Sequence, residues 1–265
     1  MKLSVVIPAH DEGGSIVDTV QTLVETLEGE GIEHEVLVVD DHCTDDTAEL
    51  VAQIAERLPT VRCVRNEGRP GFGFAVRCGL DHYSGDAVAV MMADLSDSPR
   101  DLVMYCRLLD QGFECAFGSR FMPGSNLHGY PPLKLALNRV VNLAIRLLFR
   151  HGINDTTNAF KAYRREVIDS VQPLLSHHFN LTVELPLKAI VRGHSYAIVP
   201  ISWRNRAAGE SKLGLREMGS RYLFIILYVF LEHHLSRGDY RRIDGRSGGR
   251  PRPWRRDEEQ DRVGR

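Results

Sequence analysis

Carboxylates stand at the ends of successive apolar runs in the first ninety-odd residues. One run ends in Pro8-Ala9-His10-Asp11-Glu12, a second in Asp40-Asp41 and a third in Met92-Ala93-Asp94. A carboxylate can accept two hydrogen bonds from a ribose diol or ligate a divalent cation through oxygen, and Mg²⁺ or Mn²⁺ bridges one or two carboxylates to substrate phosphates. On that chemistry Glu12 with Asp40 or Asp41 takes a nucleoside, and Asp94 takes a metal that holds a diphosphate. Any one of these acids is equally a loop residue or a helix cap. Three in phase point to a single crevice, because open α/β sheets bind ligands beyond the carboxyl ends of their strands.

Such a crevice needs alternating strands and helices. Residues 3–7 are a β-branched run closed by Pro8 and read as a buried parallel strand. Ile16, Val20, Leu23, Val24 and Leu27 fall at helical spacing, residues 36–39 give a second strand, and Thr44 is placed to cap a following helix. Strands over 61–64, 87–92 and 115–118 alternate with helices over 74–80 and from Pro99 through Leu108. This order predicts βαβ units in a right-handed, mostly parallel sheet. Further helices are expected over 164–172 and 181–191, and a strand over 196–203. Gly71-Phe72-Gly73 lacks the third glycine of a dinucleotide fingerprint and follows Arg69-Pro70 rather than a strand end. Its glycines are read as allowing close backbone approach to a nucleotide.

Taken together, Val5-Val6-Ile7-Pro8-Ala9-His10-Asp11-Glu12, Val38-Val39-Asp40-Asp41, Asn66-Glu67-Gly68 with Gly71, and Met92-Ala93-Asp94 resemble inverting family 2 glycosyltransferases of the GT-A fold. Gly118-Ser119-Arg120, the stretch from Asn154-Asp155 to Tyr163, and Arg206 through Lys212 look like segments of the dolichyl-phosphate and polyprenyl-phosphate mannosyl- and glucosyltransferases. The resemblance runs from residue 3 to about 215. It implies an α/β GT-A domain that moves a hexose from a nucleotide diphosphate sugar, GDP-mannose or UDP-glucose, to a polyprenyl phosphate, with Mg²⁺ or Mn²⁺ as cofactor. Pro8, Ala9, Glu12, Asp40, Asp41, Asn66 and Gly71 are then nucleotide residues, while Asp94, Arg206 and Lys212 carry catalysis. Arg120, Lys134, Asn138 and Asp155 are assigned to the acceptor phosphate. The chain departs from the family at Met92, which replaces the first acid of Asp-X-Asp, and at Ser96, which replaces a later polar ligand. Asp97 becomes the second metal ligand from the following turn.

An acceptor phosphate is ionised at neutral pH, so its attack needs little general-base help. Two rivals remain: a soluble family 2 enzyme acting on a sugar hydroxyl, which needs such a base, and a degenerate binding or scaffold protein. Over residues 133–149 the polar positions Lys134, Asn138, Arg139, Asn142 and Arg146 fall within half the helical circumference, opposite an aliphatic face. This reads as an interfacial helix at a membrane surface or, alternatively, a core or dimer helix. The apolar run 222–231 is too short to span a bilayer. The expected organisation is one domain over 1–235, with amphipathic helices at about 131–150 and 218–235, and a disordered, arginine-rich tail over 236–265. Five unpaired-looking cysteines and no cleavage signal suggest a cytoplasmic protein, peripheral on the inner face of the membrane and a candidate homo-oligomer. The net charge is -2, with an acidic body and a basic tail, and no nucleic-acid partner is expected.

Overall fold

The computed structural model describes residues 1–205, 215–241 and 252–253, the last pair and 215–218 as backbone only. β1 (Leu3–Ala9) is buried at every position, as a central parallel strand must be when helices cover both faces. After it come α1 (Ile16–Gly29), β2 (His34–Asp40), α2 (Thr47–Ala55), β3 (Val61–Arg65), α3 (Phe72–His82), β4 (Ala87–Val90), α4 (Pro99–Asp110) and β5 (Cys115–Ser119). The second half contains β6 (Asn126–His128), α5 (Pro132–Phe149), β7 (Lys161–Arg164), α6 (Arg165–Ser170), α7 (Leu181–Val191), β8 (Tyr196–Pro200), β9 (Ser202–Arg204), α8 (Leu215–Leu235) and β10 (Arg252–Pro253). The main sheet runs β10-β8-β5-β7-β4-β1-β2-β3, and among the described strands only β7 is antiparallel to its neighbours. The mostly parallel sheet is therefore as expected.

Successive side chains of β1 enter opposite layers, following the period of two of a strand. Val5 and Ile7 pack with Val20 and Leu23 of α1 and Leu102 of α4, while Val6 packs with Ala75, Val76 and Leu80 of α3. Helix α3 lies so close to the sheet that a Cβ at Gly79 would stand 2.4 Å from Val6 Cγ1. A third cluster joins Ile145 and Phe149 of α5 to Val183 and Leu187 of α7 and Ile225 and Val229 of α8.

Two local readings change. Thr44 does not cap α2: its N–H goes to Asp11 Oδ1 at 2.7 Å, and Asp45 Oδ1 accepts the Thr47 N–H at 3.0 Å instead. The strand expected over 196–203 breaks at Pro200-Ile201, where proline has no N–H to offer a ladder, and β9 leaves the main sheet to pair with β6. Arg252–Pro253 lies parallel to Ala197–Ile198 of β8, and most of the expected tail lies outside the described residues.

Candidate active site

Strands β2, β1 and β4 are adjacent, so their carboxyl ends share one rim. Ala9 and Asp40 are register partners, and Asp41 donates its N–H to Ala9 O at 2.8 Å. The Asp40 carboxylate accepts the Cys43 N–H at 2.8 Å. Asp41 accepts from Asn66 Nδ2 at 2.7 Å on one oxygen and from the Gly71 N–H at 2.8 Å on the other. Asn66 Oδ1 in turn accepts the Gly68 N–H at 3.0 Å. Pro8, Ala9, Asp40, Asp41, Asn66 and Gly71 thus meet as the sequence suggests, yet Asp41 engages both oxygens in clasping the 66–71 loop. Gly71 has φ +143°, and a Cβ there would lie 3.0 Å from His177 O. The close approach expected toward a nucleotide is, at this glycine, an approach to the chain at His177.

Glu12 sits half-buried on the same rim, its N–H donated to Thr47 Oγ1 at 2.9 Å. Nearby, ligand-capable atoms of Asp11, Cys43 and Asp45 lie within 4.8 Å of one another. These groups are already engaged: Asp11 Oδ1 accepts the Thr44 N–H, Asp45 Oδ2 accepts the Gly13 N–H at 2.9 Å, and burial, with Asp40 adding to it, pushes the Cys43 thiol up to about 12. The cluster fastens a loop.

The 94–97 turn offers better metal chemistry. Asp94 Oδ1 accepts the Ser96 N–H at 3.0 Å, and Asp97 is 3% exposed, its Oδ2 facing the Met92 N–H at 3.4 Å. Burial, then the charge of Asp94, pushes the Asp97 carboxyl up to about 7. A buried carboxyl whose ionisation is opposed by burial and by a neighbouring carboxylate fits a divalent cation, which would relieve that cost. The turn is braced from behind, because Asp97 bridges to Trp203 and the Arg204 N–H reaches Ser96 O at 2.9 Å.

At the end of β5, Arg120 donates its main-chain N–H and Nε to Asp155 Oδ2 at 2.9 and 2.8 Å, and Nη2 to Oδ1 at 2.7 Å. Asp155 is fully buried. Burial opposes charge on Arg120, but the Asp155 carboxylate outweighs it and holds the guanidinium above its ordinary pKa. Arg120 was expected on a phosphate; these donors are instead on Asp155, because a bidentate carboxylate is the partner that a buried guanidinium requires. The guanidinium also lies 5.6 Å from the Tyr130 ring centroid, and Lys134 Nζ lies 5.9 Å from the same ring. Asn138 Nδ2 donates to Tyr130 Oη at 2.9 Å. Arg120, Lys134, Asn138 and Asp155 therefore gather around one tyrosine. Arg206 and Lys212 lie outside the described residues.

Residues 4–172 match the sequence profile of glycosyl transferase family 2. The chain belongs to that family. Polyprenol monophosphomannose synthase of Mycolicibacterium smegmatis is 34% identical over 184 residues, which are 67% of this chain and 69% of the relative. Dolichol-phosphate mannosyltransferase of Pyrococcus furiosus is 29% identical over 215 residues, 80% of this chain but 59% of the relative, so the chain spans little more than half of that protein. A crystal structure of Mycobacterium tuberculosis glucosyl-3-phosphoglycerate synthase with Mn²⁺, UDP and glucosyl-3-phosphoglycerate superimposes with a TM-score of 0.64 at 19% identity, over 88% of this chain and 79% of that one. The GT-A expectation is met, and this family 2 chain is a glycosyltransferase.

Two residues of the site had no role assigned from the sequence. Lys161 of β7 is 1% exposed, and its Nζ donates to the carbonyls of Thr156, Asn158 and Thr182, the first at 3.0 Å. Burial, opposed by Asp155, lowers it to about 7. A lysine between Phe160 and Ala162 was the available signal. Asn142 is 1% exposed on the inward side of α5, in a stripe otherwise made of Ile145 and Phe149.

Proposed function

We propose that this family 2 chain moves a hexosyl group, mannosyl first and glucosyl second, from GDP-mannose or UDP-glucose to a polyprenyl phosphate at a membrane surface, with inversion. One observation carries the reading: the helix beside the candidate phosphate site turns its greasy side outward. On α5, Leu133 is 71% exposed, Leu147 69% and Val140 65%, and on α8 Phe224 is 61% exposed. Lys134, Arg139, Arg146 and Arg150 stand along α5 and at its end. An apolar helix face flanked by cations suits acyl chains below and anionic headgroups beside it. No helix among the described residues is long and apolar enough to cross a membrane. The contact proposed is peripheral, through the exposed face of α5, on the cytoplasmic side. The curated relatives named for polyprenol and dolichol phosphate point to the same acceptor class.

In this reading the rim formed by Glu12, Asp40 and the 66–71 loop holds the nucleoside, with Asp41 and Asn66 fixing the loop's shape. Asp94 and Asp97 would hold Mg²⁺ or Mn²⁺, which supplies positive charge beside the leaving diphosphate. Lys134 and Asn138 present the acceptor phosphate, with Arg120 beside them, steadied by Asp155. Arg206 and Lys212 join the phosphates by family resemblance. The ionised acceptor attacks the anomeric carbon directly, so catalysis rests on positioning and charge. The test is transfer of radiolabel from GDP-mannose and UDP-glucose to a short-chain prenyl phosphate, with Mn²⁺ or Mg²⁺. Labelled prenyl-phosphate sugar from either donor is the expected product, and none from both would overturn the reading.

A further inference from the structure

The inward face of α5 carries one polar residue whose whole amide is engaged. Asn142 Oδ1 accepts the N–H groups of Thr156 at 2.6 Å and Thr157 at 3.2 Å. Its Nδ2 lies 2.7 Å from Asn138 Oδ1 and 3.0 Å from Thr157 Oγ1. Thr157 Oγ1 also donates to Asn138 Oδ1 at 2.7 Å. Asp155, next in chain, holds Arg120, and Arg120 faces Tyr130, whose hydroxyl takes Asn138 Nδ2. These contacts close a ring: Asn142, the 155–157 loop, Arg120, Tyr130, Asn138 and back to Asn142. Lysine 161 grips the same loop from the opposite side through the carbonyls of Thr156 and Asn158.

A helix lying on a fluid lipid surface needs a rigid link to a site buried at a sheet edge, since small misplacements of reacting groups are costly. An aliphatic residue at 142 would pack with Ile145 and Phe149 equally well, so burial alone gives no reason for an amide here. We propose that Asn142 is a positioning residue, which locks the acceptor-presenting turn of α5 to the Asp155–Arg120 pair and so sets the register between acceptor phosphate and donor sugar. This rests on the acceptor reading given above. Asn142 touches neither substrate and acts through Asn138 and the 155–157 loop.

The experiment compares the full chain with Asn142→Leu and Thr157→Val in transfer to short-chain prenyl phosphate, varying each substrate in turn. Asn142→Leu is expected to raise the acceptor KM about tenfold and leave the donor KM unchanged, the signature of lost acceptor positioning. Partial loss of folded protein would lower kcat and move neither KM. Thr157→Val exchanges the hydroxyl for a methyl of similar size and is expected to raise the acceptor KM about threefold, which carries the test if Asn142→Leu does not fold. An acceptor KM within error of the parent's in the folded variants overturns the assignment while leaving the activity in place. A parent chain that transfers to no prenyl phosphate overturns the functional reading, and this assignment with it.

Discussion

Removing the Asp155 carboxylate tests whether the Arg120 pair is the structural keystone of the acceptor side. In Asp155→Asn the guanidinium, whose side chain is 9% exposed, loses its counter-charge, and an amide nitrogen faces donors where an oxygen accepted. Three donor contacts at 2.7–2.9 Å are disturbed together. Breaking a buried pair from one side costs about 3–5 kcal/mol, because the partner stays buried and uncompensated. For a chain of this size each kcal/mol lowers Tm by about 2–4 °C, so a fall of roughly 6–20 °C is expected. Thermal and urea unfolding read the loss directly. The deficit should persist between low and high salt, since a pair shielded from water is little screened. The double variant Arg120→Met/Asp155→Leu should lose less than the sum of its single changes, the charges having left together. A loss in Asp155→Asn below about 1 kcal/mol, the value of an exposed pair, would refute the reasoning.

Asp94→Asn should abolish transfer while the urea midpoint stays near the parent's, and retained full activity would remove Asp94 from the metal role. Lys161 binds its proton more weakly in the folded chain, at about 7 against an ordinary 10.5. Between those values the unfolded state carries the extra proton. This contribution to stability is therefore full at alkaline pH and lost as pH falls toward 7, at up to about 1.4 kcal/mol per pH unit. Urea unfolding of the parent at pH 7 and 9.5 should show that rise and Lys161→Met should flatten it; equal slopes would contradict the assignment. Leu143→Glu/Leu147→Glu on the exposed face of α5 should weaken sedimentation with anionic vesicles several-fold, while transfer to a water-soluble acceptor continues. Unchanged sedimentation would detach α5 from the membrane, and a concentration-dependent dimer lost in the variant would mark a second copy as its occupant.

The rim at the strand ends was legible because parallel strands advertise themselves: continuous apolar runs give their ends, and Glu12, Asp40 and Asp94 follow those ends in the sequence. Strand β7 was not legible, since Lys161 and Arg164 bound four residues with no alternation and burial between β4 and β5 is imposed by the fold. The partners of Asp41 and Arg120 within the chain were not legible, for a shared reason. A charged residue near a ligand edge reads as a ligand contact, and only coordinates show that Asn66 and Gly71 engage Asp41 and that Asp155 engages Arg120. The amphipathicity of α5 was visible, and which side faces inward was not. Periodicity separates a polar arc from an aliphatic one, while packing against α7 and α8 buries Ile145 and Phe149 of the aliphatic arc, and Asn142 of the polar arc is buried beside them.

These pairings also bear on the choice between a phosphate and a hydroxyl acceptor. A hydroxyl acceptor must surrender a proton, which calls for a carboxylate able to reach it and accept. Around the acceptor side, Asp155 is fully buried and holds three donors of Arg120, so accepting a proton would cost it that pair. Asp97 is just as enclosed, and if it joins Asp94 on a cation its lone pairs are committed there. An acceptor that arrives ionised needs neither group as a base, and the cations beside Tyr130, Arg120 and Lys134, match its charge. The same logic predicts the pH profile: a phosphate acceptor should show no ascending limb above the second ionisation of a phosphate monoester, about pH 6. A rate still climbing tenfold per unit above pH 8 would signal a proton in transit and favour the hydroxyl.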